Sequence, residues 1–127
     1  MRIVLVAGAQ SEFAQLVQYR AGDKYDAHTD WALEPENQPR LRWSTLLIYL
    51  RAPAHGGGTG FPLANTTEPL VVAPRKNAAL LFYNLLPDGN VDVDSLHMGL
   101  PVHSGQKWIL NLWTHVHNGS EPAHNAL

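Results

Sequence analysis

The sequence predicts an all-β domain, a sandwich or a barrel, on three observations. Apolar residues occur in short runs rich in Val, Leu, Ile, Tyr and Trp, and Gly, Pro, Asn and Asp interrupt these runs. No long amphipathic helical pattern or internal repeat is found. With 127 residues, 45% of them apolar, the chain is long enough for one domain with a core and too short for two. We therefore expect a single domain over residues 1–127, with its core from about residue 16 to residue 117.

Eight segments are expected to form the strands, because each combines β-forming residues with turn residues at its ends. In chain order they are LVQYR (16–20), DAHTDW (26–31), RWSTLLIYL (42–50), TGFPL (59–63), LVVAP (70–74), AALLFYN (78–84), LHMGLPV (96–102) and KWILNLWTH (107–115). The segments RAPAHGGG, LPDGN and HSGQ are expected to be loops between them. Eight short strands without a long helix favour two packed sheets.

The composition argues against several classes of protein. The absence of cysteine excludes disulfides, thiolate zinc sites and a cysteine nucleophile. A net charge of −2 with scattered Lys and Arg gives no support for a nucleic-acid or membrane partner. The first 13 residues are too short for a membrane span and lack a convincing secretory signal. We therefore expect a cytoplasmic location, and any metal must be held by His, Asp or Glu.

His28 and Asp30 are the first candidate ligands, since residues two apart on a strand point to the same face, with Thr29 turned away. Such a pair alone is most often structural. In an eight-stranded jelly roll the second and seventh strands are neighbours, which would bring His97 beside the pair. Two histidines and one carboxylate form the facial triad of non-haem Fe(II) oxygenases. Three protein ligands leave half of an octahedron open, unlike the four ligands of a structural zinc site.

Lys107 begins the last predicted strand and shares one face with Ile109, Asn111 and Trp113. In the jelly-roll arrangement this face looks across the sandwich toward the metal, over a gap of roughly 10 Å between facing sheets. Burying the lysine ammonium without an anion would be costly. We therefore expect an anionic partner for Lys107. A five-carbon dicarboxylate could bridge the gap, with one end on the metal and the other at the ammonium.

The motif string resembles the prolyl 4-hydroxylase group of Fe(II)/2-oxoglutarate dioxygenases. The segments QYRAGDKYDAHTDW, RWSTLLIYL, GGGTGFP, ALLFYNLLPDG and SLHMGLPVHSGQKWILNLW occur in the order of that group's motifs, from about residue 18 to residue 113. The resemblance implies a double-stranded β-helix (jelly roll) with iron on His28, Asp30 and His97. It also implies that 2-oxoglutarate is oxidised to succinate and carbon dioxide while a substrate is hydroxylated, with the reactive chemistry supplied by the metal.

The resemblance further implies roles for residues around the iron. It assigns Lys107, with Tyr19 and Thr59, to the distal carboxylate of 2-oxoglutarate. It places Arg42 and Trp113 at the binding site for a peptide or protein substrate that contains proline. It also implies that ascorbate is the reductant. For Arg42 a surface position, and for Trp113 a packing role, are equally open. Members of the group carry N-terminal helices packed on one sheet, whereas only 27 residues precede His28 here. We therefore expect those helices to be shortened or absent, and a homodimer, another packing or a marginally stable fragment in consequence.

Other histidines of the sequence offer a rival site, and other functions are open. The pair His115 and His117, with His103 as a third ligand, has strand spacing but no carboxylate to complete it, and accidental surface histidines are the simpler interpretation. His55 and His124 are expected in loops. Three classes of function are open: a prolyl hydroxylase, a hydroxylase of another side chain or small molecule with the same mechanism, and a non-catalytic jelly-roll module.

Overall fold

The computed structural model describes residues 1–6, 13–31, 41–64 and 67–115. These parts contain eleven β-strands, one short 3-10 turn at Val93–Ser95 and no α-helix. The strands are Arg2–Val6 (β1), Ala14–Arg20 (β2), Tyr25–His28 (β3), Arg42–Arg51 (β4), His55–Gly56 (β5), Thr59–Phe61 (β6), Leu70–Val72 (β7), Ala79–Tyr83 (β8), His97–Gly99 (β9), Val102–Ser104 (β10) and Gln106–His115 (β11). Among the described residues, no helix has the length and apolar character needed to cross a membrane. The end of the predicted core, residues 116–117, lies outside the described residues.

The strands form two main antiparallel sheets and confirm the predicted jelly roll. The larger sheet has the order β1-β2-β11-β4-β8, the smaller has the order β3-β9-β6-β7, and β10 and β5 pair separately. The second predicted strand (β3) pairs with the first part of the seventh (β9), and His28 stands opposite His97. The last predicted strand, β11, lies at the centre of the other sheet.

Several predicted boundaries were wrong for identifiable reasons. The segment 96–102 divides into β9 and the start of β10, since Pro101 lacks the N–H that a continuous ladder needs. The segment 26–31 stops being a strand at His28, so Asp30 lies beyond the strand end. His55 was expected in a loop but forms β5 with Gly56, and its Nδ1 lies 2.9 Å from Ser104 Oγ. The apolar N-terminal run forms β1, which pairs with β2.

The core lies between the sheets and is built from alternate residues of the central strands. Its buried members are Val17, Tyr19, Leu47, Tyr49, Val102 and Ile109. The same inward face of β11 carries Lys107, only 1% exposed, so a cation is part of the interior. Sequence alternation in β11 therefore predicted its buried face correctly.

Glycines of the GGGTG segment allow a close approach to β10 and to Lys107. Gly56 has φ +78°, and a Cβ there would lie 2.4 Å from the Pro101 carbonyl oxygen. Gly57 has φ +71°, and a Cβ there would lie 3.3 Å from Lys107 Cδ. Both positions need glycine for backbone conformation and for space. The segment thus packs against the stem of the buried lysine.

Candidate active site

His28, Asp30 and His97 lie together at the inner edge of the smaller sheet. His28 Nε2 lies 3.5 Å from Asp30 Oδ1, and His97 Nε2 lies 3.6 Å from Asp30 Oδ2. One potential ligand atom from each residue lies within 4.8 Å of the other two. Among the described residues this is the only group of three or more metal-ligating side chains with that property.

Both imidazoles present Nε2 toward the carboxylate. His28 Nδ1 lies 2.8 Å from the Asp26 carbonyl oxygen, and His97 Nδ1 lies 2.9 Å from the Ser95 carbonyl oxygen. A carbonyl only accepts, so each Nδ1 carries a proton, and Nε2 is the nitrogen of each ring that is placed to bind a metal. Burial lowers the pKa of His97 below its ordinary value, although the nearby Asp30 carboxylate acts in the opposite direction. The neutral imidazole, the form that binds a metal, is therefore favoured.

The donor set and its spacing fit a divalent first-row metal. Two ligands bonded to one ion at ~2.1 Å are at most ~4.2 Å apart, and the two imidazole–carboxylate distances fall below this limit. Two imidazoles with one carboxylate suit iron in oxygenases.

Asp30 is held by hydrogen bonds from the larger sheet and not by strand alternation. Thr45 Oγ1 donates to Asp30 Oδ2 at 2.9 Å, and Trp113 Nε1 donates to the same oxygen at 3.1 Å. Because β3 ends at His28, the two-residue period does not apply to the residues after it. Thr29, which was expected to turn away, is among the residues that line the same cavity as Asp30.

A cavity of about 250 Å³ lies between the two sheets. All eight site residues named from the sequence line it: Tyr19, His28, Asp30, Arg42, Thr59, His97, Lys107 and Trp113. The fold thus brings the eight positions together, while their roles remain predictions.

The Lys107 end of the cavity holds a cation with aromatic neighbours. Its Nζ lies 5.0 Å from the centroid of the Tyr19 ring and 5.9 Å from that of Tyr49. Burial lowers the pKa of Lys107 from 10.5 to about 8. In the part of the chain that the structure describes, no carboxylate lies within ion-pair distance of this ammonium. The arrangement can accept an anion from outside the protein.

Three buried polar residues of the site were missed from the sequence. Tyr49 shares a hydrogen bond of 2.9 Å with Thr59, and Thr45 contacts Asp30. Asn84 donates to Thr45 from just beyond β8. Thr45 and Tyr49 lie four residues apart on β4, and two polar groups on the inward face of an apolar strand are a usable signal. The role of Asn84 depends on its contact with Thr45 of a neighbouring strand, and the sequence gives no comparable signal for such a contact.

The substrate candidates lie at the Asp30 side of the cavity. The Arg42 guanidinium carbon lies 3.9 Å from the centroid of the Trp113 ring, a cation–π geometry. Trp113 is buried and also reaches Asp30, so packing and metal-site contacts coexist in one residue.

The rival histidines do not assemble a second site among the described residues. His103 is exposed on β10, and His115 ends β11 opposite Arg42. His117 and His124 lie outside the described residues.

Comparison with known proteins identifies relatives over most of the chain. The family model described as the 2OG-Fe(II) oxygenase superfamily matches residues 14–115. The chain is 38% identical over 123 aligned positions to prolyl 4-hydroxylase 5 of Arabidopsis thaliana, covering 84% of this chain and 42% of that protein. It is 40% identical over 110 positions to prolyl 4-hydroxylase subunit alpha-3 of Rattus norvegicus, covering 83% of this chain and 20% of that protein.

A solved structure is also similar to most of this chain. The viral collagen prolyl hydroxylase of Paramecium bursaria Chlorella virus-1, in its 2OG complex, superposes with a TM-score of 0.71 at 30% identity, covering 89% of this chain and 63% of that chain. The chain thus spans about a fifth to two fifths of the length of the two curated relatives. From the jelly roll, the His-Asp-His group and the match over residues 14–115, the chain belongs to the 2OG-Fe(II) oxygenase superfamily.

Proposed function

We propose that this chain is an Fe(II)- and 2-oxoglutarate-dependent dioxygenase that hydroxylates prolyl residues in a peptide or protein, releasing succinate and carbon dioxide. The observation that carries the proposal is the buried Lys107 in the same cavity as the His-Asp-His group. A metal-ligating group alone would suit many metalloproteins. A buried cation facing it across the sandwich calls for an anionic co-substrate.

Iron would be held by His28 Nε2, His97 Nε2 and a carboxylate oxygen of Asp30. When bound there, it supplies the oxygen-activating redox chemistry, and the protein supplies binding and orientation. Asp30 Oδ2 accepts two hydrogen bonds, which supports Oδ1, on the His28 side, as the binding oxygen. The carbonyl contacts at each Nδ1 keep both rings oriented.

2-Oxoglutarate would lie between the metal ligands and Lys107. Its distal carboxylate would meet the Lys107 ammonium, where the Tyr19 ring lies, and Thr59 lines the same cavity. If Tyr49 donates the hydrogen bond that its hydroxyl shares with Thr59 Oγ1, the threonine proton is left for a ligand oxygen. The cavity of about 250 Å³ has room for a five-carbon dicarboxylate.

The prolyl specificity rests on the relatives, which include plant and animal prolyl 4-hydroxylases and a viral collagen prolyl hydroxylase. Arg42 and Trp113 are the residues proposed to meet the peptide, because they line the cavity on the side away from Lys107. Ascorbate as reductant is carried over from the family resemblance.

Turnover of 2-oxoglutarate to succinate, with and without a proline-rich peptide, tests the proposal. We expect Fe(II)-dependent succinate formation that the peptide stimulates, and a peptide mass increase of one oxygen on proline. Modification of another residue would favour the hydroxylase of a different side chain. No succinate formation from protein that binds both metal and 2-oxoglutarate would favour the non-catalytic module. A His28→Ala variant is the matched inactive control.

We also propose that the chain self-associates through the outer face of the larger sheet. Leu81 and Tyr83 on β8 are 53% and 49% exposed, and the Tyr83 ring packs 4.8 Å from the ring of Trp43, itself 40% exposed. Adjacent exposed apolar residues of this kind are typical of interaction surfaces. Analytical ultracentrifugation should give a dimer, and a Leu81→Lys variant should give a monomer. A monomeric wild type would contradict the proposal.

The cytoplasmic location stays a prediction.

A further inference from the structure

A chain of two buried hydrogen bonds leads from Asn84 to Asp30. Asn84 Nδ2 donates to Thr45 Oγ1 at 3.0 Å, and Thr45 Oγ1 donates to Asp30 Oδ2 at 2.9 Å. Asn84 is 0% exposed, Thr45 is 1% exposed and Asp30 is 6% exposed. Water therefore has little access to any of the three polar groups.

The direction of both hydrogen bonds follows from the chemistry of the groups. An ionised carboxylate only accepts, so the single proton of the Thr45 hydroxyl points to Asp30. The hydroxyl oxygen can then only accept from Asn84, which must present its amide nitrogen and not its oxygen. The carboxamide of Asn84 thereby fixes the rotation of the Thr45 hydroxyl. The indole N–H of Trp113 is the second donor to Asp30 Oδ2.

The side chain of Asn84 is not explained by stability alone. Main-chain hydrogen bonds, to the Trp43 carbonyl at 2.8 Å and from the Asp92 N–H at 3.0 Å, already fix the position of its backbone. Its side-chain Oδ1 is buried and has no hydrogen-bond partner among the described residues. A buried acceptor without a partner destabilises the fold, whereas an apolar residue of similar shape would not.

We infer that Asn84 is a positioning residue for Asp30 and acts through the Thr45 hydroxyl, so that Asp30 Oδ2 stays engaged and Oδ1 stays turned toward the metal position. The inference rests on the proposed function, because it takes Asp30 as a metal ligand. Partners of metal ligands orient the ligand and tune its affinity for the metal.

Calorimetric titration of the metal-free protein with Mn(II) tests this inference through a double-mutant cycle. Thr45→Val keeps the shape of the side chain, removes the hydroxyl, and should weaken Mn(II) binding ~10- to 100-fold. Asn84→Leu should weaken it ~10-fold. Because Asn84 acts through Thr45, the double variant should bind no more weakly than Thr45→Val alone. The inference would be overturned if the fold losses of Mn(II) affinity in the two single variants multiplied in the double variant. Unchanged Mn(II) affinity in Asn84→Leu would also overturn it.

Two controls separate positioning from loss of structure. Thr45→Ser retains the hydroxyl and should retain Mn(II) affinity. Asn84→Leu removes a buried acceptor that lacks a partner, so the thermal midpoint of the metal-free protein should be unchanged or higher. If that variant does not fold, Asn84→Ala, which adds no volume, replaces it in the cycle. A wild type that does not bind Mn(II) would refute the metal site itself, whereas normal wild-type binding with an unaffected Asn84 variant would refute only the positioning role.

Discussion

Trp113 Nε1 donates a hydrogen bond of 3.1 Å to Asp30 Oδ2, which links the central strand of the larger sheet to the segment that follows β3. The two residues are 83 positions apart in the chain. With Thr45 as the second donor, the larger sheet orients a carboxylate whose two imidazole neighbours belong to the smaller sheet. The candidate metal site is therefore assembled across the sandwich, and its geometry depends on how the two sheets pack.

Replacing Trp113 by Phe should weaken metal binding while leaving the fold intact. The phenyl ring keeps the aromatic packing but lacks the N–H, so Asp30 loses one of its two donors. We expect a ~10- to 100-fold loss of Mn(II) affinity by calorimetry. Trp108→Phe is the matched control, because Trp108 lies on the same strand with its side chain on the opposite face. Equal losses in both variants would contradict the contact's role.

Removing the charge of Lys107 should affect 2-oxoglutarate far more than metal. Lys107→Met keeps most of the stem and leaves the distal carboxylate of the ligand buried without a partner, so the Kd for 2-oxoglutarate should rise at least ~100-fold. Mn(II) affinity, measured without 2-oxoglutarate, should change by less than ~3-fold, as expected for a site that does not include Lys107. Lys24→Met removes the same charge at the exposed ion pair with Asp26 and should change neither constant. Similar losses for both ligands in Lys107→Met would argue against a separate anion site.

The affinity for 2-oxoglutarate should fall as the pH rises above about 8, the pKa to which burial lowers Lys107. Below that pH the ammonium is charged and can bind the carboxylate; above it, free protein must first gain a proton, at a cost of ~10-fold in affinity per pH unit. The facing titratable groups are Tyr19 and Tyr49, with burial raising the pKa of each, and the His-Asp-His group across the cavity. Isothermal titration between pH 7 and pH 10 checks this, and a flat profile would contradict it.

The stability of the free protein should show the opposite trend in the same range. The folded pKa of Lys107 is below the unfolded value of 10.5, so the unfolded chain binds more protons between pH 8 and pH 10.5. The contribution of Lys107 to the free energy of unfolding therefore rises with pH across that window. Denaturant titrations should show this rise in the wild type, and Lys107→Met should remove it. The same slope in the variant would assign the effect to other groups.

Gly56→Ala should destabilise the fold more than Gly89→Ala. Both glycines have positive φ, +78° and +85°, so each substitution carries a backbone cost of ~1 to 2 kcal/mol. At Gly89 a Cβ would meet no atom of the described parts of the chain within 4 Å, whereas at Gly56 it would lie 2.4 Å from the Pro101 carbonyl oxygen. We expect an additional loss of ~1 to 3 kcal/mol at Gly56, the range for overpacking, by chemical denaturation. Equal losses of stability in the two variants would contradict this prediction, because they would mean that the paired strands β5 and β10 move apart without cost.

Strand alternation predicted from the sequence which residues of β11 face the cavity, and the paired positions of His28 and His97 followed from the jelly-roll order. Asp30 lies beside His28 as expected, but strand alternation is not the reason, because β3 ends at His28. Hydrogen bonds from Thr45 and Trp113 hold the Asp30 carboxylate in place. Contacts of this kind depend on how two sheets pack, and no local pattern records them. The strands β1 and β5 were missed because each needs a partner strand to be recognised.

The most direct test of the metal and 2-oxoglutarate sites is a crystal structure of the protein prepared anaerobically with Mn(II) and 2-oxoglutarate. We expect one metal ion bonded to His28, Asp30 and His97, with the distal carboxylate of 2-oxoglutarate within hydrogen-bond distance of Lys107 Nζ. A metal bound elsewhere, or a 2-oxoglutarate whose distal carboxylate does not reach Lys107, would contradict this expectation.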